Sequence, residues 1–478
     1  MGYASVVSLE DLQESKSRAE LRRKLHELFD QWLDRVEEEM KEPQPTLAQL
    51  TEVVFNLRQE LTRSVTESLL ENRYAAEKER KTILCPGCGR LLQARGEPER
   101  TVETMVGAIG VSRPYFYCTQ CQKGSYPLDE VLELSDRRKQ SDIQKAAANL
   151  SKEVPYETAC ELFQDLTGLS LSTHTAHEVT NEAAEGLSVL DVSPGREEVE
   201  AKIAQVAEGK KWRPILVLSI DGANVPTRPE TARRKRRGRR KVRVKRARWK
   251  GQWREAKGFR FYLVDEDRIV HPISWHRMQD EEELFEALKQ IKEAGLIPEE
   301  LVRLCVVADG ARWIWKGIKA LFPTAKQILD YYHGSEHIHR IALAQYKDQP
   351  RKVPEWVEAT MARLFCNEIA GVLKDLQQMK PCDEDAATEI EKGIIYLENN
   401  KGRLDYGSLR KGRYPLGSGG IESANKFICH VRLKRSGAWW YVANGNKMLA
   451  LRCAKYNGTF DRLFGCYQQK VKGECRKK

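Results

Sequence analysis

The chain has 478 residues, of which 41% are hydrophobic and 31% are charged, and its formal net charge is +11 at pH 7. A chain of this length is too long for a single hydrophobic core, which predicts several domains. The lack of any apolar run of about 18 residues argues against a membrane span. The N-terminal residues have neither the basic start nor the apolar stretch of a secretory signal. We therefore expect a cytoplasmic protein whose twelve cysteines are thiols or metal ligands rather than disulfides.

Residues 1–80 are predicted to form helices. Apolar residues recur at helical spacing in LRRKLHELFDQWLDRV, the EPQPT segment at 42–46 interrupts the pattern, and Thr46 is a candidate N-cap for a second helix. The apolar stripe is either a packing face within the chain or a surface for self-association, and the pattern leaves both open.

Two C-x2-C pairs mark residues 81–130. The first pair is Cys85 and Cys88, and the second is Cys118 and Cys121. Four thiolates that converge from two short loops suit a structural, tetrahedral Zn2+. The intervening RTVETMVGAIGVSRPYFYC predicts a strand, a turn and a second strand, as in a zinc ribbon. A catalytic zinc is disfavoured because no histidine or carboxylate is near, and a redox pair is the weaker alternative.

Three short helices are predicted within residues 140–192. Pro155 begins the second helix, Gly168 ends it, and Ser172 or Thr173 caps the third. This order is typical of a helix-turn-helix-like DNA-binding bundle, although three short helices also form purely structural bundles.

A mixed β-sheet is predicted for residues 212–345. The expected strands lie at 214–221, in a pair within 258–276, at 301–308 and at 325–331, and the expected helices lie near 281–294 and 311–321. Three early strands followed by strand–helix–strand units is the ribonuclease-H-like order. The predicted fold class is therefore multidomain α/β, with the helical region, the ribbon and the bundle ahead of the sheet.

Two of these apolar runs end at an aspartate followed by a glycine, Asp221–Gly222 and Asp309–Gly310. Ligands of open α/β sheets lie beyond the carboxyl ends of strands, and these two strands would be neighbours, so both carboxylates would reach one point and the glycines would let the chain turn away. Clustered carboxylates repel unless a cation lies between them. Two Mg2+ ions, or Mn2+, about 3.5–4 Å apart would suit phosphodiester chemistry there, whereas either Asp-Gly pair alone could mark a tight turn.

A strongly basic segment follows the first of these strands. Residues 233–250 contain 13 Lys or Arg and no acid, and subtracting their charges from +11 leaves −2 for the rest of the chain. We predict an inserted loop at 228–254 that binds nucleic-acid phosphates; the alternative is a solvated linker. The predicted contacts are its basic residues Arg233, Arg234, Lys235, Arg236, Arg237, Arg239, Arg240, Lys241, Arg243, Lys245, Arg246 and Arg248.

Four segments resemble bacterial insertion-sequence transposases of the Kra-four group, relatives of the Mutator-like DDE enzymes: LSIDGANVP, VVADGARWIW, ILDYYHGSEHIHR and YPLGSGGIESANKFICHVRLKRSGAWW. The resemblance covers roughly residues 80–465. It implies a ribonuclease-H-like core whose DDE triad is Asp221, Asp309 and Glu422. It also implies a D-x2-H signature with Asp330 and His333 at the active-site rim, and an inserted helical domain at 346–412.

The last segment, 413–478, is expected to return a helix to the core. The third carboxylate of the site has three candidates, Glu422 in this segment and Asp330 and Glu336 before it. We favour Glu422, because a helix that packs across the sheet can present it beside both aspartates. The same segment alternates basic residues with tryptophans, a combination that can bind unpaired bases near a cleavage site. The alternative is that the two adjacent tryptophans fill a hydrophobic core. Its predicted DNA contacts are Arg432, Lys434, Arg435 and Trp439.

These inferences predict a magnesium-dependent transposase that cleaves and joins DNA strands at the terminal inverted repeats of its own element. DNA is the expected partner, as element ends and as target, and a homodimer or a higher oligomer is expected on it, nucleoid-associated in a bacterial cytoplasm. One alternative is a ribonuclease-H-like nuclease that cuts without joining. A second alternative, of another class, is a transposase-derived DNA-binding protein without catalytic activity.

Overall fold

The computed structural model describes residues 9–229, 250–265 and 268–475. The contacts predicted for the basic segment from Arg233 to Arg248 therefore lie outside the described residues, as do residues 266 and 267 within the strand pair predicted at 258–276. The chain divides into two compact units, the first formed by Met1–Thr180 with Phe464–Lys478 and the second by Asn181–Leu463.

The first unit begins with a helical hairpin. Its helices are α1 (Leu9–Glu39), α2 (Leu47–Arg73) and the short α3 (Ala75–Lys78). Thr46 caps α2 as predicted, because its hydroxyl accepts from the Gln49 backbone N–H while the Gln49 side chain accepts from the Thr46 N–H. Salt bridges Lys24–Glu71 and Arg35–Glu60 connect α1 to α2.

Three small antiparallel hairpins follow. They pair β1 (Thr82–Leu84) with β2 (Leu91–Gln93), β3 (Glu99–Thr104) with β4 (Gly107–Ser112), and β5 (Phe116–Cys118) with β6 (Lys123–Ser125). The hairpin predicted between the two cysteine pairs is confirmed as β3–β4. Val102, Ile109 and Val111 bury one face of it against Leu128 of α4 (Pro127–Val131).

The three helices predicted within 140–192 are also confirmed. They are α5 (Ser141–Ser151), α6 (Tyr156–Thr167) and α7 (Thr173–Ala183). Gly168 ends α6 with a φ of 75°, a backbone conformation that glycine adopts without a steric penalty. Ile143, Phe163 and Ala176, one from each helix, are buried together.

The second unit is built on one five-stranded sheet, which α8 (Val189–Val192) and α9 (Arg196–Ala207) precede. Its strands are β7 (Ile215–Thr227), β8 (Gln252–Asp265), β9 (Arg268–Met278), β10 (Arg303–Ala308) and β11 (Lys326–Leu329). The spatial order is β11-β10-β7-β8-β9. Strands β7, β8 and β9 are antiparallel neighbours, whereas β10 pairs in parallel with β7 and with β11. Helix α10 (Glu281–Glu293) joins β9 to β10, and α11 (Arg312–Leu321) joins β10 to β11. The mixed sheet predicted from the sequence is therefore confirmed.

A helical segment follows β11 and packs on one face of this sheet. It comprises α12 (Tyr331–Gln345), α13 (Lys352–Phe365), α14 (Ile369–Gln378), α15 (Glu384–Asn400), a 3-10 turn (Lys401–Arg403) and α16 (Tyr406–Lys411). Buried residues of these helices, such as Leu364, Leu376 and Leu397, share one apolar core with Val217 and Cys305 of the sheet.

The chain then returns to the sheet through α17 (Gly419–Ala424), a π-helical segment (Asn425–His430), α18 (Val431–Leu433) and α19 (Val442–Asn457). Helix α20 (Phe460–Cys475) follows, and from Phe464 onwards it belongs to the first unit. The fully buried Arg452 of α19 donates to the carbonyl oxygens of Phe427 and Ile428, which holds the π-helical segment in place. Throughout the described part of the chain, every helix is too short or too polar to span a bilayer.

Candidate functional site

The four cysteines of the two C-x2-C pairs come together, and their metal-ligating atoms all lie within 4.8 Å of one another. The Sγ atoms of Cys85 and Cys121 are 3.9 Å apart, and those of Cys88 and Cys118 are 3.6 Å apart. Four sulfurs at 2.3 Å from a tetrahedral zinc ion would be separated by about 3.8 Å. The cluster therefore fits a zinc ion in size, shape and donor chemistry.

The loop geometry favours a thiolate at Cys85, whereas hydrogen bonding with Cys88 raises the pKa of Cys121 to about 12. The Cys85 N–H donates to the Arg90 carbonyl, and Gly89, at a φ of 71°, donates to the Cys85 carbonyl, which closes a tight knuckle. The backbone N–H groups of Gly87 and Cys88 lower the pKa of Cys85 to about 6. A metal ligand has to be a thiolate, and these N–H groups favour that form at Cys85.

We predict one zinc ion per chain. Elemental analysis of the purified protein should give a 1:1 ratio, and the double variant Cys85→Ser/Cys118→Ser should lose the metal because two of its four thiolates are gone. Cys382→Ser, at an exposed cysteine outside the cluster, is the matched control and should keep it. Native protein without zinc would contradict the assignment.

Asp221 and Asp309 lie at adjacent positions of two neighbouring strands in the second unit, β7 and β10. The parallel pairing of β7 with β10 runs from Ile215–Arg303 to Ile220–Ala308, and the two aspartates are the next residue of each strand. Strand β7 does not end there, however. It continues beside β8, from the pair Asp221–Gly258 to the pair Thr227–Gln252. The predicted strand end at 221 is therefore corrected to Thr227, and residues 252–254 of the predicted basic loop belong to β8.

The glycines after the aspartates have a different role from the predicted one. Neither Gly222 nor Gly310 has a positive φ, so neither makes the sharp turn that the sequence suggested. Gly310 instead leaves room for an aromatic ring, because a Cβ atom there would lie 2.2 Å from the ring of Tyr396 in α15. The tyrosine of the helical segment thus packs directly beside Asp309.

The carboxylate of Asp221 is half-buried and partly hydrogen-bonded. Burial raises its pKa, hydrogen bonding to Gly222 lowers it, and the negative charge of Asp309 raises it further. Its Oδ1 accepts from the Gly222 N–H at 2.7 Å, and its Oδ2 accepts from Asn425 Nδ2 at 2.7 Å. The pKa of Asp221 is raised on balance, so burial and the neighbouring Asp309 outweigh the hydrogen bond from Gly222 and the positive charge of His333.

Asp330 and His333 form a second polar group at the start of α12. Asp330 is fully buried, and its Oδ1 accepts from the His333 N–H at 2.9 Å and faces the ring Nδ1 at 3.3 Å. Burial opposes ionisation of Asp330, but the hydrogen bonds from His333 and Ser418 outweigh it and lower its pKa. The hydrogen bond to Asp330 in turn raises the pKa of His333 to about 9, with a smaller contribution from Asp309.

The pKa of His333 predicts how this group responds to pH. A histidine whose pKa is raised by folding stabilises the folded state fully below its unfolded pKa of about 6.5, and this contribution is lost as the pH rises through about 9. We expect an NMR titration of the His333 ring with a midpoint near 9, which Asp330→Asn should move towards 6.5. A His333 midpoint near 6.5 in the native protein would contradict the ion pair.

Glu422 connects to the same group through Ser418. The Ser418 N–H donates to Asp330 Oδ2 at 2.5 Å, and the Ser418 hydroxyl lies 3.3 Å from Glu422 Oε1. Glu422 is exposed and lies in the first turn of α17, and the Ser418 side chain does not cap that helix. Helix α17 packs against β7 and β8, and Asn425, three residues after Glu422, reaches Asp221.

Asp221 and Asp309 thus interact electrostatically, and Glu422 lies on a helix that packs on β7 and β8. The three carboxylates do not form a closed ligand set in the described part of the chain. Among the described residues, the four cysteines form the one group of three or more metal-ligating side chains whose ligand atoms all lie within 4.8 Å of one another. The carboxylates do not meet this distance criterion. The rival Glu336 is exposed and pairs with Arg340, and His337 stacks on Tyr396 with ring centroids 3.6 Å apart.

The predicted DNA contacts of the last segment divide into two groups. Lys434, Arg435 and Trp439 are exposed, and Trp439 packs edge-on against Trp253, whose ring is 5.6 Å from Lys434 Nζ. Arg432 is only 3% exposed and lies over the Trp440 ring, so its burial corrects the prediction that it contacts DNA.

Three residues near Asp221 and Asp309 were missed by the sequence reasoning. Asn425, His276 and Tyr396 come from three elements that are far apart along the chain. Of these three, only Asn425 could have been predicted from the sequence, because it lies one helical turn after Glu422 and therefore on the same face of the helix.

Residues 41–470 match the uncharacterised protein family UPF0236. The chain belongs to this family. A search of curated proteins gives no match. Among solved structures, the Drosophila P element transposase strand transfer complex is similar over 70% of this chain and 81% of that chain, at 13% identity and a TM-score of 0.25. A TM-score this low does not establish a common fold, so a functional assignment has to rest on the residues of the site.

Proposed function

We propose that this UPF0236 chain is a DDE-type transposase that cleaves and joins DNA strands at the ends of its own element. The observation that carries the proposal is the pair Asp221 and Asp309, the next residues after the last parallel pair of β7 and β10. Glu422 completes the proposed triad from a helix that packs on the same strands. The resemblance of four segments to Kra-four group transposases supports the same assignment. The strand order β11-β10-β7-β8-β9 is compatible with the ribonuclease-H-like core that we propose.

The residues fit magnesium in donor chemistry. Oxygen ligands suit Mg2+, and the raised pKa of Asp221 reflects burial and a neighbouring anion that a divalent cation would offset. Asp221 and Asp309 would hold the ions, and Glu422 would join them once its side chain leaves Ser418. Bound magnesium would supply Lewis-acid stabilisation of charge on the phosphate.

The remaining parts of the site have proposed roles of their own. His333, which stays cationic up to about pH 9, would attract a DNA phosphate beside Asp309. Lys434 and Arg435 would contact the backbone, and Trp253 and Trp439 offer faces for unpaired bases. The zinc ribbon and the bundle α5–α7 would read the element end, with the basic segment 233–250 as a further phosphate contact.

Strand joining tests this proposal against a nuclease that only cuts. Imperfect inverted repeats beside the gene would define the end substrate. We expect the protein with Mg2+ to insert a duplex carrying an exposed 3′-hydroxyl at that end into a supercoiled plasmid, because attack by that hydroxyl replaces one phosphodiester bond with another. A scrambled end of equal length is the control. Cleavage without joined product would favour the nuclease, and neither activity would favour the non-catalytic DNA-binding protein.

A further inference from the structure

The Asp221 carboxylate is held on one side by a buried amide. Asn425 is 6% exposed and is the first residue of the π-helical segment. Its Nδ2 donates to Asp221 Oδ2 at 2.7 Å. Because a carboxylate only accepts hydrogen bonds, the NH2 group of Asn425 must face Asp221 and the amide oxygen must face away.

His276 fixes that amide from the other side. Its Nε2 lies 3.0 Å from Asn425 Oδ1, and since Oδ1 is an acceptor, Nε2 must carry the ring proton. Complete burial and the charge of Arg260 lower the pKa of His276 to about 3, so the ring is neutral at every physiological pH. A single tautomer therefore donates to Asn425.

The sheet is built to admit this arrangement. Asp221, Gly258 and His276 are in register on β7, β8 and β9, and a Cβ atom on Gly258 would lie 2.2 Å from the His276 ring. Arg260, two residues along β8, donates to Ser274 Oγ on β9 and to the Gly420 carbonyl in α17. One buried arginine thus ties the helix that leads into Asn425 to the strand that carries His276.

We propose that Asn425 and His276 are positioning residues that orient the Asp221 carboxylate for a divalent cation. The inference rests on the proposed function, since it takes Asp221 as a ligand. His276 donates to Asn425, Asn425 donates to Asp221 Oδ2, and the carboxylate cannot rotate. The arrangement predicts that loss of either donor weakens cation binding although neither side chain touches the cation.

The test measures Mn2+ binding to the full-length protein by the electron paramagnetic resonance signal of free Mn2+. Removing a group that orients a metal ligand typically costs about 10- to 100-fold in affinity. We expect Asn425→Leu and His276→Leu to lose affinity in this range. His276→Gln should regain most of it, because a glutamine NH2 can still donate to Asn425 Oδ1. The rescue separates orientation from a purely structural role, since both His276 variants replace the same buried ring.

Asn446→Leu is the matched control. This asparagine joins α19 to the Met278 backbone on the same sheet, so its loss should lower stability and leave Mn2+ affinity unchanged. Wild-type affinity in folded Asn425→Leu, or equal affinities for His276→Leu and His276→Gln, would overturn the inference and leave the proposed function standing. If Asp221→Asn binds Mn2+ as well as the wild type, the proposed function itself fails at this site.

Discussion

Asp221→Asn is expected to retain DNA binding and to lose metal-dependent strand cleavage by at least about a thousandfold. The substitution keeps the shape of the side chain and removes one negative charge from the pair of carboxylates that would hold the cations. Metal ions contribute several kcal/mol to such reactions, and about 1.4 kcal/mol corresponds to a factor of ten in rate. Cleavage of a labelled end duplex and a gel-shift assay on the same DNA measure the two effects separately.

Glu255→Gln is the matched control for that experiment. Glu255 is a carboxylate on the adjacent strand that also raises the pKa of Asp221, but it is exposed and paired with Lys257. We expect this variant to cleave at close to the wild-type rate. Wild-type cleavage by Asp221→Asn would remove Asp221 from the active site, and equal losses in both variants would point to a general effect of charge.

Glu422→Gln is expected to be as inactive as Asp221→Asn, while Glu336→Gln keeps most of the activity. The structure supplies the reason for choosing Glu422 over its nearer rivals. Both carboxylate oxygens of Asp330 are hydrogen-bonded inside the protein, and Glu336 pairs with Arg340 at the surface. Glu422 is exposed, and in the described part of the chain its carboxylate is held only by the Ser418 hydroxyl. Of the three candidates it is therefore the one whose carboxylate can still join a cation.

Strand cleavage by the variants of Glu422, Glu336 and Asp330 under one set of conditions separates these possibilities. Asp330→Asn should be intermediate, because it weakens the hold on His333 and Ser418 without removing a ligand. An active Glu422→Gln beside an inactive Glu336→Gln would reverse the assignment of the third carboxylate.

Local patterns predicted the parts of this fold that depend on neighbouring residues. The apolar runs before Asp221 and Asp309, the two C-x2-C pairs and the cap at Thr46 each follow from a few consecutive side chains. The neighbouring positions of the two aspartates also followed, because the parallel pairing of β7 with β10 places the residues after Ile220 and Ala308 side by side.

What the sequence did not reveal depends on contacts between distant segments. Asn425 and Asp221 are 204 residues apart, and no local pattern indicates their hydrogen bond. The burial of Arg432 against Trp440 could not be read from a segment that looks like a cationic surface. The extension of β7 to Thr227 depends on pairing with β8, which a strand pattern interrupted by Asp221 and Gly222 does not indicate.

Anomalous X-ray scattering from a crystal of the protein with an end duplex and Mn2+ tests the proposed active site most directly. We expect manganese peaks between the carboxylates of Asp221 and Asp309, with Glu422 turned away from Ser418 to complete the coordination. Clear density for DNA and protein with no manganese at Asp221 and Asp309 would contradict the assignment.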